Sequence, residues 1–240
     1  MKDYLLDLVQ HTYDLGCIEL VKIVGTDTGT QIVAMAEDQS VVVLGNYHNP
    51  VADFIGTFGM PNLSKLKTLL HLQEYRENAQ LAITRRVGGE PDGISFQNAS
   101  GDFRNNYRFM ASTIVQDKLK TPKFAGVKWH ITFEPSNAAI QRLKWQMSAN
   151  AEEPYFTAKT EGSDLKFSFG DHSSHSGNFV FQADVDGQLA RSWAWPAKQF
   201  AAILDLVGDK MLQISDDGAA QITVDSGLAV YKYILPAQSK

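Results

Sequence analysis

Gln221-Ile222-Thr223-Val224, Ser226-Gly227 and Tyr231-Lys232-Tyr233-Ile234 form a run that this chain states twice. The earlier version reads Gly93-Ile94-Ser95-Phe96, then Ser100-Gly101, then Tyr107-Arg108-Phe109-Met110. The two Ser-Gly pairs lie 126 positions apart in a chain of 240. Apolar and polar residues alternate on both sides of each pair, which predicts a hairpin with one face buried. Two similar halves follow, and with them a shape that repeats.

Outward from each hairpin the pattern is the same: a helix announced by proline, then three strands. In the first half Pro61-Asn62-Leu63-Ser64 opens a helix with Leu63, Leu66, Leu69 and Leu70 on one side. Strands are expected at 79–86, 93–98 and 103–112. In the second half Pro196 takes the first helical position, where its fixed φ is tolerated. That helix is expected over 197–207, ended by Gly208, with strands at 211–215, 220–224 and 229–235. The rest matches less closely. A helix over 2–15 carries Leu5, Leu8, Val9, Thr12 and Leu15 at helical spacing. Strands follow at 18–24, 31–36, 41–47 and 54–60. The second half opens on a strand at 127–133, and Pro135-Ser136-Asn137 starts a helix reaching about 150. Strands then come at 155–160, 165–169, 178–184 and 188–195. Residues 113–126 lack a strong period and read as a connector between domains 1–112 and 127–240. The class is α+β.

Composition supports a real core: 44% of residues are hydrophobic and 20% charged. No stretch approaches the roughly 18 consecutive apolar residues of a membrane span. Met1-Lys2-Asp3-Tyr4 reads as the start of an amphipathic helix and not as a secretory signal. The single cysteine, Cys17, excludes an internal disulfide and points to a reducing cytoplasm, the host's if the source is a phage. Cys17 reads as a small core hydrophobe. The net charge is −5, so tight nucleic-acid binding would need a local basic cluster on an acidic body.

Motifs of covalent chemistry are missing. There is no P-loop, no Gly-x-Gly-x-x-Gly after a strand and no Gly-x-Ser-x-Gly elbow. One cysteine cannot build a cysteine-based zinc site. Asp171-His172-Ser173-Ser174-His175 could be read as metal ligands, but between Gly170 and Ser176-Gly177 it reads better as a polar hairpin tip. Glu152-Glu153 before Pro154 reads as a solvated turn. Trp129, Trp145, Trp193 and Trp195 could form a sugar platform. Three of them, Trp129, Trp193 and Trp195, lie within or at the ends of alternating strands, which favours packing. No enzyme, cofactor or metal is expected.

Basic residues recur on every proposed helix: Lys2 on the first, Lys65 and Lys67 on the second, Arg142 and Lys144 on the third, Lys198 on the fourth. Singly, each is an ordinary solvated lysine or arginine. Together they suggest one positive surface.

With these elements in order, the chain resembles the DNA sliding clamps, in the trimeric form of tailed phages, archaea and eukaryotes. Three stretches carry the resemblance. Gln31-Ile32-Val33-Ala34-Met35 through Val41-Val42-Val43-Leu44 resembles the family's early hairpin. Phe54-Ile55-Gly56 through Asn62-Leu63-Ser64-Lys65-Leu66 resembles the strand entering its second helix. Ser226-Gly227 through Tyr231-Lys232-Tyr233-Ile234-Leu235-Pro236 resembles its C-terminal strand. The phage type is the nearer, since the chain ends soon after Pro236 without an acidic tail.

The resemblance implies a homotrimeric ring of six domains, helices inward and sheets outward, around duplex DNA. It implies weak, non-specific phosphate contacts from Lys2, Lys65, Lys67, Arg142, Lys144 and Lys198. It implies subunit contacts between the strand at 103–112 of one copy and that at 178–184 of the next, with Arg104, Arg108, Phe179 and Phe181 there. It implies an apolar pocket for a partner peptide, lined by Met35, Val41, Leu119, Tyr233, Leu235 and Pro236. The partners implied are a replicative polymerase and a clamp-loader ATPase, with no membrane. Two other readings compete: a structural β-rich virion or tail protein, and a carbohydrate-binding or hydrolytic β-protein.

Overall fold

The computed structural model describes residues 1–120, 126–171 and 175–238. They form two compact units. The first comprises Met1–Pro122 and Ser226–Tyr231, the second Lys123–Asp225 and Lys232–Lys240.

The first unit opens with helix α1, Lys2–His11, whose Leu5, Leu8 and Val9 are buried. A single 3-10 turn, Tyr13–Leu15, follows and stops at Gly16, which sits at φ 76° where a side chain is disfavoured. Strands β1 (Leu20–Thr26), β2 (Gly29–Met35), β3 (Val42–Tyr47) and β4 (Gly56–Pro61) form an antiparallel sheet in the order β4-β1-β2-β3. Gly25 is required there, because a Cβ would lie 1.9 Å from the Phe54 carbonyl oxygen. Helix α2, Leu63–His71, buries the four leucines expected of it and packs on α1. The antiparallel meander β5 (Gln80–Arg85), β6 (Pro91–Gln97), β7 (Arg104–Arg108) is a second sheet. Helix α3, Ser112–Lys118, ends the run.

The segment from Ser226 to Tyr231 completes this unit. The Tyr231 hydroxyl donates to the Asp7 carboxylate at 2.7 Å, and its ring stacks on His11 with centroids 4.7 Å apart. Asp7, His11, Tyr47 and Tyr231 are all buried. Burial alone would push the Asp7 carboxyl up. Hydrogen bonds to His11, Tyr231 and Ser226, with the electrostatic pull of His11, outweigh it and hold the carboxyl below its ordinary value. The Tyr47 phenol, fully enclosed near Asp7, is pushed well up.

The second unit contains β8 (Ile131–Phe133), α4 (Asn137–Ala149), β9 (Tyr155–Glu161), β10 (Asp164–Phe169), β11 (Gly177–Gln182) and β12 (Trp193–Pro196). Helix α5 (Ala197–Leu204) and strands β13 (Asp209–Ser215) and β14 (Ala219–Asp225) follow, and β15 (Ala229–Pro236) belongs to this unit from Lys232 onward. One sheet has the order β11-β10-β9-β12; β14, β13 and β8 are neighbours in another. Helices α4 and α5 pack together, and α4 also lies against β11. An aromatic core fills the space, with Phe156, Phe167, Phe181 and Phe200 in mutual ring contact around Phe167.

The two quoted hairpins are present, β6-β7 and β14-β15, each after a helix and each with its Ser-Gly glycine at positive φ, 79° at Gly101 and 85° at Gly227. Three expected strands are shorter than their patterns. The strand at 103–112 stops at Arg108, and Ser112–Lys118 is helical. The strand at 127–133 shrinks to β8, and that at 188–195 to β12. Side chains take the amides that a ladder would need: Thr160 Oγ1 accepts from Leu189 N–H, and Asp216 Oδ1 from Arg191 N–H.

Candidate functional site

The four long helices hold six basic residues and two acidic ones, a net +4. The whole chain carries −5, so everything outside them carries −9. Helices α2, α4 and α5 contain no acidic residue at all. Their apolar stripes face the core, which leaves the basic side chains on the solvent side.

The six are not equally available. Lys65, Arg142 and Lys198 are exposed. The Arg142 guanidinium stands over the Phe179 ring, 5.4 Å from its centroid. Lys67 pairs with Asp14 at 2.7 Å, and Lys144 with Asp205 at 2.5 Å. Lys2 donates to the Tyr75 carbonyl at 2.5 Å. Asp14 and Asp205 are therefore part of this charge pattern, although no sequence pattern signals pairs that span 53 and 61 positions.

Among the described residues β4, β5, β7, β8, β11 and β12 each end a sheet, and two of these edges carry the residues expected at a subunit contact. β7 has β6 as its only strand neighbour among the described residues, and β11 has β10. Arg104 and Arg108 are exposed on β7, with Arg108 held 3.0 Å from Asp92. Phe179 and Phe181 are different: both are buried in their own unit, 6% and 3% exposed. Strand alternation turns them inward, so β11 offers a neighbour its backbone and the side chains of Asn178, Val180 and Gln182.

A groove of about 670 Å³ opens in the first unit, with Cys17, Leu20, Met35 and Leu119 among its apolar walls and Glu19, Glu37 and Asp38 at its rim. Leu119 is fixed by buried Lys22, which donates to its carbonyl at 2.5 Å. Burial lowers the Lys22 ammonium from its ordinary value. Bonds from the Ser40 hydroxyl and amide hold the Asp38 carboxyl below the usual range, so it stays ionised. Of the six expected pocket residues, Met35 and Leu119 line this groove. Val41, Tyr233 and Leu235 are completely buried and act as core, while Pro236 is exposed on the second unit.

Chemistry by other means has little support. The Cys17 thiol is half-buried, and burial followed by the charge of Asp38 pushes it up to about 11, away from nucleophilic use. Among the described residues no three His, Cys, Asp or Glu gather to hold a metal. The metal reading of the 171–175 loop falls on 172–174, outside the described residues. No described helix is long and apolar enough to cross a membrane. Trp195 is buried and Trp129 and Trp193 half-buried, so of the four tryptophans only Trp145 presents most of its ring to solvent.

A scan against family models found no match, and neither did a search of curated proteins. Solved structures do match. PCNA from A. fulgidus, bound to the C-terminal region of FEN-1, superposes with TM-score 0.70 at 9% identity, over 98% of this chain and 96% of its own. PCNA from Thermococcus kodakaraensis gives 0.68 at 12% identity, over 99% and 97%. Proliferating Cellular Nuclear Antigen from Entamoeba histolytica gives 0.69 at 12%, over 97% and 94%. This chain has the PCNA clamp fold. The α+β class expected from the sequence is thus the clamp's, shared with PCNA along essentially the entire backbone. On this PCNA fold the sequence reading missed α3, the groove's acidic rim, Lys22 and the exposure of Trp145. Only the seven-residue length of α3 explains its silence, since a period needs more residues to show.

Proposed function

We propose that this chain is a DNA sliding clamp, a processivity factor that encircles duplex DNA and tethers a replicative polymerase without covalent chemistry. The observation that carries the reading is the charge partition: +4 on four helices and −9 elsewhere, on a fold shared with PCNA. A carbohydrate-binding or structural protein has no need of that partition.

The units are the clamp's two domains, with 113–126 as their connector. Three copies close head to tail, β7 of one pairing with β11 of the next, because an exposed edge is a liability until it is paired. A rotation that closes on itself makes a ring and not a filament. The helices line the bore and touch phosphates weakly, so the ring slides. Lys65, Arg142 and Lys198 make those contacts first, and Lys2, Lys67 and Lys144 contribute as their present partners release them. The groove of the first unit takes a peptide of the polymerase or of the clamp-loader ATPase, with Met35 and Leu119 as its apolar floor. Tethering then holds the polymerase at a high effective concentration on DNA. The tailed-phage type is proposed from the sequence resemblance alone.

The test is mass by light scattering together with negative-stain imaging. The expected result is three chain masses and a particle with a central hole. Retention on closed circular duplex, lost when the circle is cut, would add the topological signature. A chain that stays monomeric at tens of micromolar, or an assembly without a hole, overturns the reading.

A further inference from the structure

Trp145 is 67% exposed on α4, while Ile140 and Leu143 of the same helix are buried. A large indole left in water on an otherwise well-packed helix marks a surface that something covers. It shares a cleft of about 350 Å³ with Arg142, Gln146, Ala149, Asn178 and Phe179. The last two belong to β11, so the cleft opens onto the free edge of that strand. Gly177 makes the approach close: a Cβ there would lie 2.5 Å from Gln146 Oε1. An unpaired row of backbone groups and an uncovered indole therefore stand side by side. A strand added to β11 would pass over the indole.

The charges and the apolar groups say which strand. β11 carries no charge and runs on toward exposed Asp184 and Asp186. β7 carries Arg104 and Arg108, and Phe103 just before it is 39% exposed. The basic residues of β7 are complementary in sign to the aspartates beyond β11, while the one cation in the cleft, Arg142, is turned onto the Phe179 ring; each edge also brings a large apolar side chain left partly exposed, Trp145 at 67% and Phe103 at 39%.

We propose that Trp145 is the anchor of the contact between copies of this chain, covered by the segment from Phe103 to Arg108 of the next copy. The assignment rests on the head-to-tail ring proposed above. It adds that one indole, more than the length of paired backbone, sets the stability of closure, as a central tryptophan commonly dominates an interface.

The experiment compares the intact chain with Trp145→Ala and Trp145→Phe by sedimentation equilibrium across a dilution series. Duplex DNA binding and thermal unfolding of each variant are measured beside it. The alanine variant is expected to assemble at least about thirtyfold more weakly, the phenylalanine variant to recover most of the loss, and both to unfold at the parent's midpoint in the monomer. Variants that assemble like the parent overturn the anchor and leave the ring standing. Variants that assemble normally but bind duplex more weakly also overturn it, moving the indole to the DNA surface. A parent chain that never assembles overturns the ring, and the anchor with it.

Discussion

Asp7 is an acid that the fold has made unusually costly to protonate. It accepts from Tyr231, bonds His11 and lies in a nearly closed space. Its folded carboxyl sits below the ordinary value near 3.9 of an unfolded chain. The stability it contributes is therefore complete above that unfolded value and is lost as pH falls through the folded one. Replacing Asp7 with alanine should cost about 2–4 kcal/mol near neutrality, since the buried Tyr231 hydroxyl loses its acceptor. The same substitution should flatten the acid limb of a plot of urea-unfolding stability against pH. An acid limb as steep as the parent's would place the titrating carboxyl elsewhere. None of this was visible in the sequence: Asp7 reads as one more solvent-side residue of an amphipathic helix, and its partner is 224 positions away.

At the scale of elements, α2 begins in an unusual way. Asn62 caps it, accepting the Lys65 amide at 3.3 Å, yet sits at φ 54° in the left-handed region. Asparagine is the side chain that suits both demands. Alanine there should cost about 1–2 kcal/mol through the lost cap and the strained backbone, and glycine distinctly less. That order reverses the usual helix ranking, in which glycine is the poorer residue. Denaturant titration of Asn62→Ala and Asn62→Gly checks it, and equal losses would remove the backbone part of the argument.

The elements read best from sequence were those with long, clean periods. Leu63, Leu66, Leu69 and Leu70 sit where the stripe said, as do the alternating residues of β14. The repeated hairpins were legible for the same reason, and the clamp fold through the three stretches that resemble the family. Elements failed where the pattern was carried by something other than burial. The run at 188–195 alternates, but Thr160 and Asp216 claim its amides. Of the residues expected in a pocket, Val41, Tyr233 and Leu235 are buried, and an apolar residue in a strand reads alike whether it lines a groove or fills a core. Phe179 and Phe181 face the core of their own unit and the alternate positions of β11 face outward, since adjacent residues of a strand point opposite ways.

For the whole molecule, the clamp function proposed above asks how a chain of net charge −5 would handle a polyanion. Its answer is segregation, and pairing grades it. Replacing Lys65, Arg142 and Lys198 together with alanine should lower the salt dependence of duplex binding, by close to one unit of slope for each phosphate left without its cation. Alanine at Lys67 and Lys144 should do less, because Asp14 and Asp205 already hold those ammonium groups. The reverse change is the sharper check: Asp14→Asn with Asp205→Asn should free both lysines and tighten duplex binding at low salt, measured by fluorescence anisotropy. A weaker complex would contradict the assignment of these helices to DNA.

The first unit is not a continuous stretch of chain, because Ser226–Tyr231 belong to it. During translation its opening helix leaves the ribosome long before the tyrosine that Asp7 bonds has been synthesised. The amino-terminal part stays incompletely closed until Tyr231 has been added, so a stop before Tyr231 takes a buried partner from the first unit as well as a strand from the second. A chain cut between its halves should therefore leave the first half without part of its own core, and limited proteolysis should degrade that fragment faster than the intact protein.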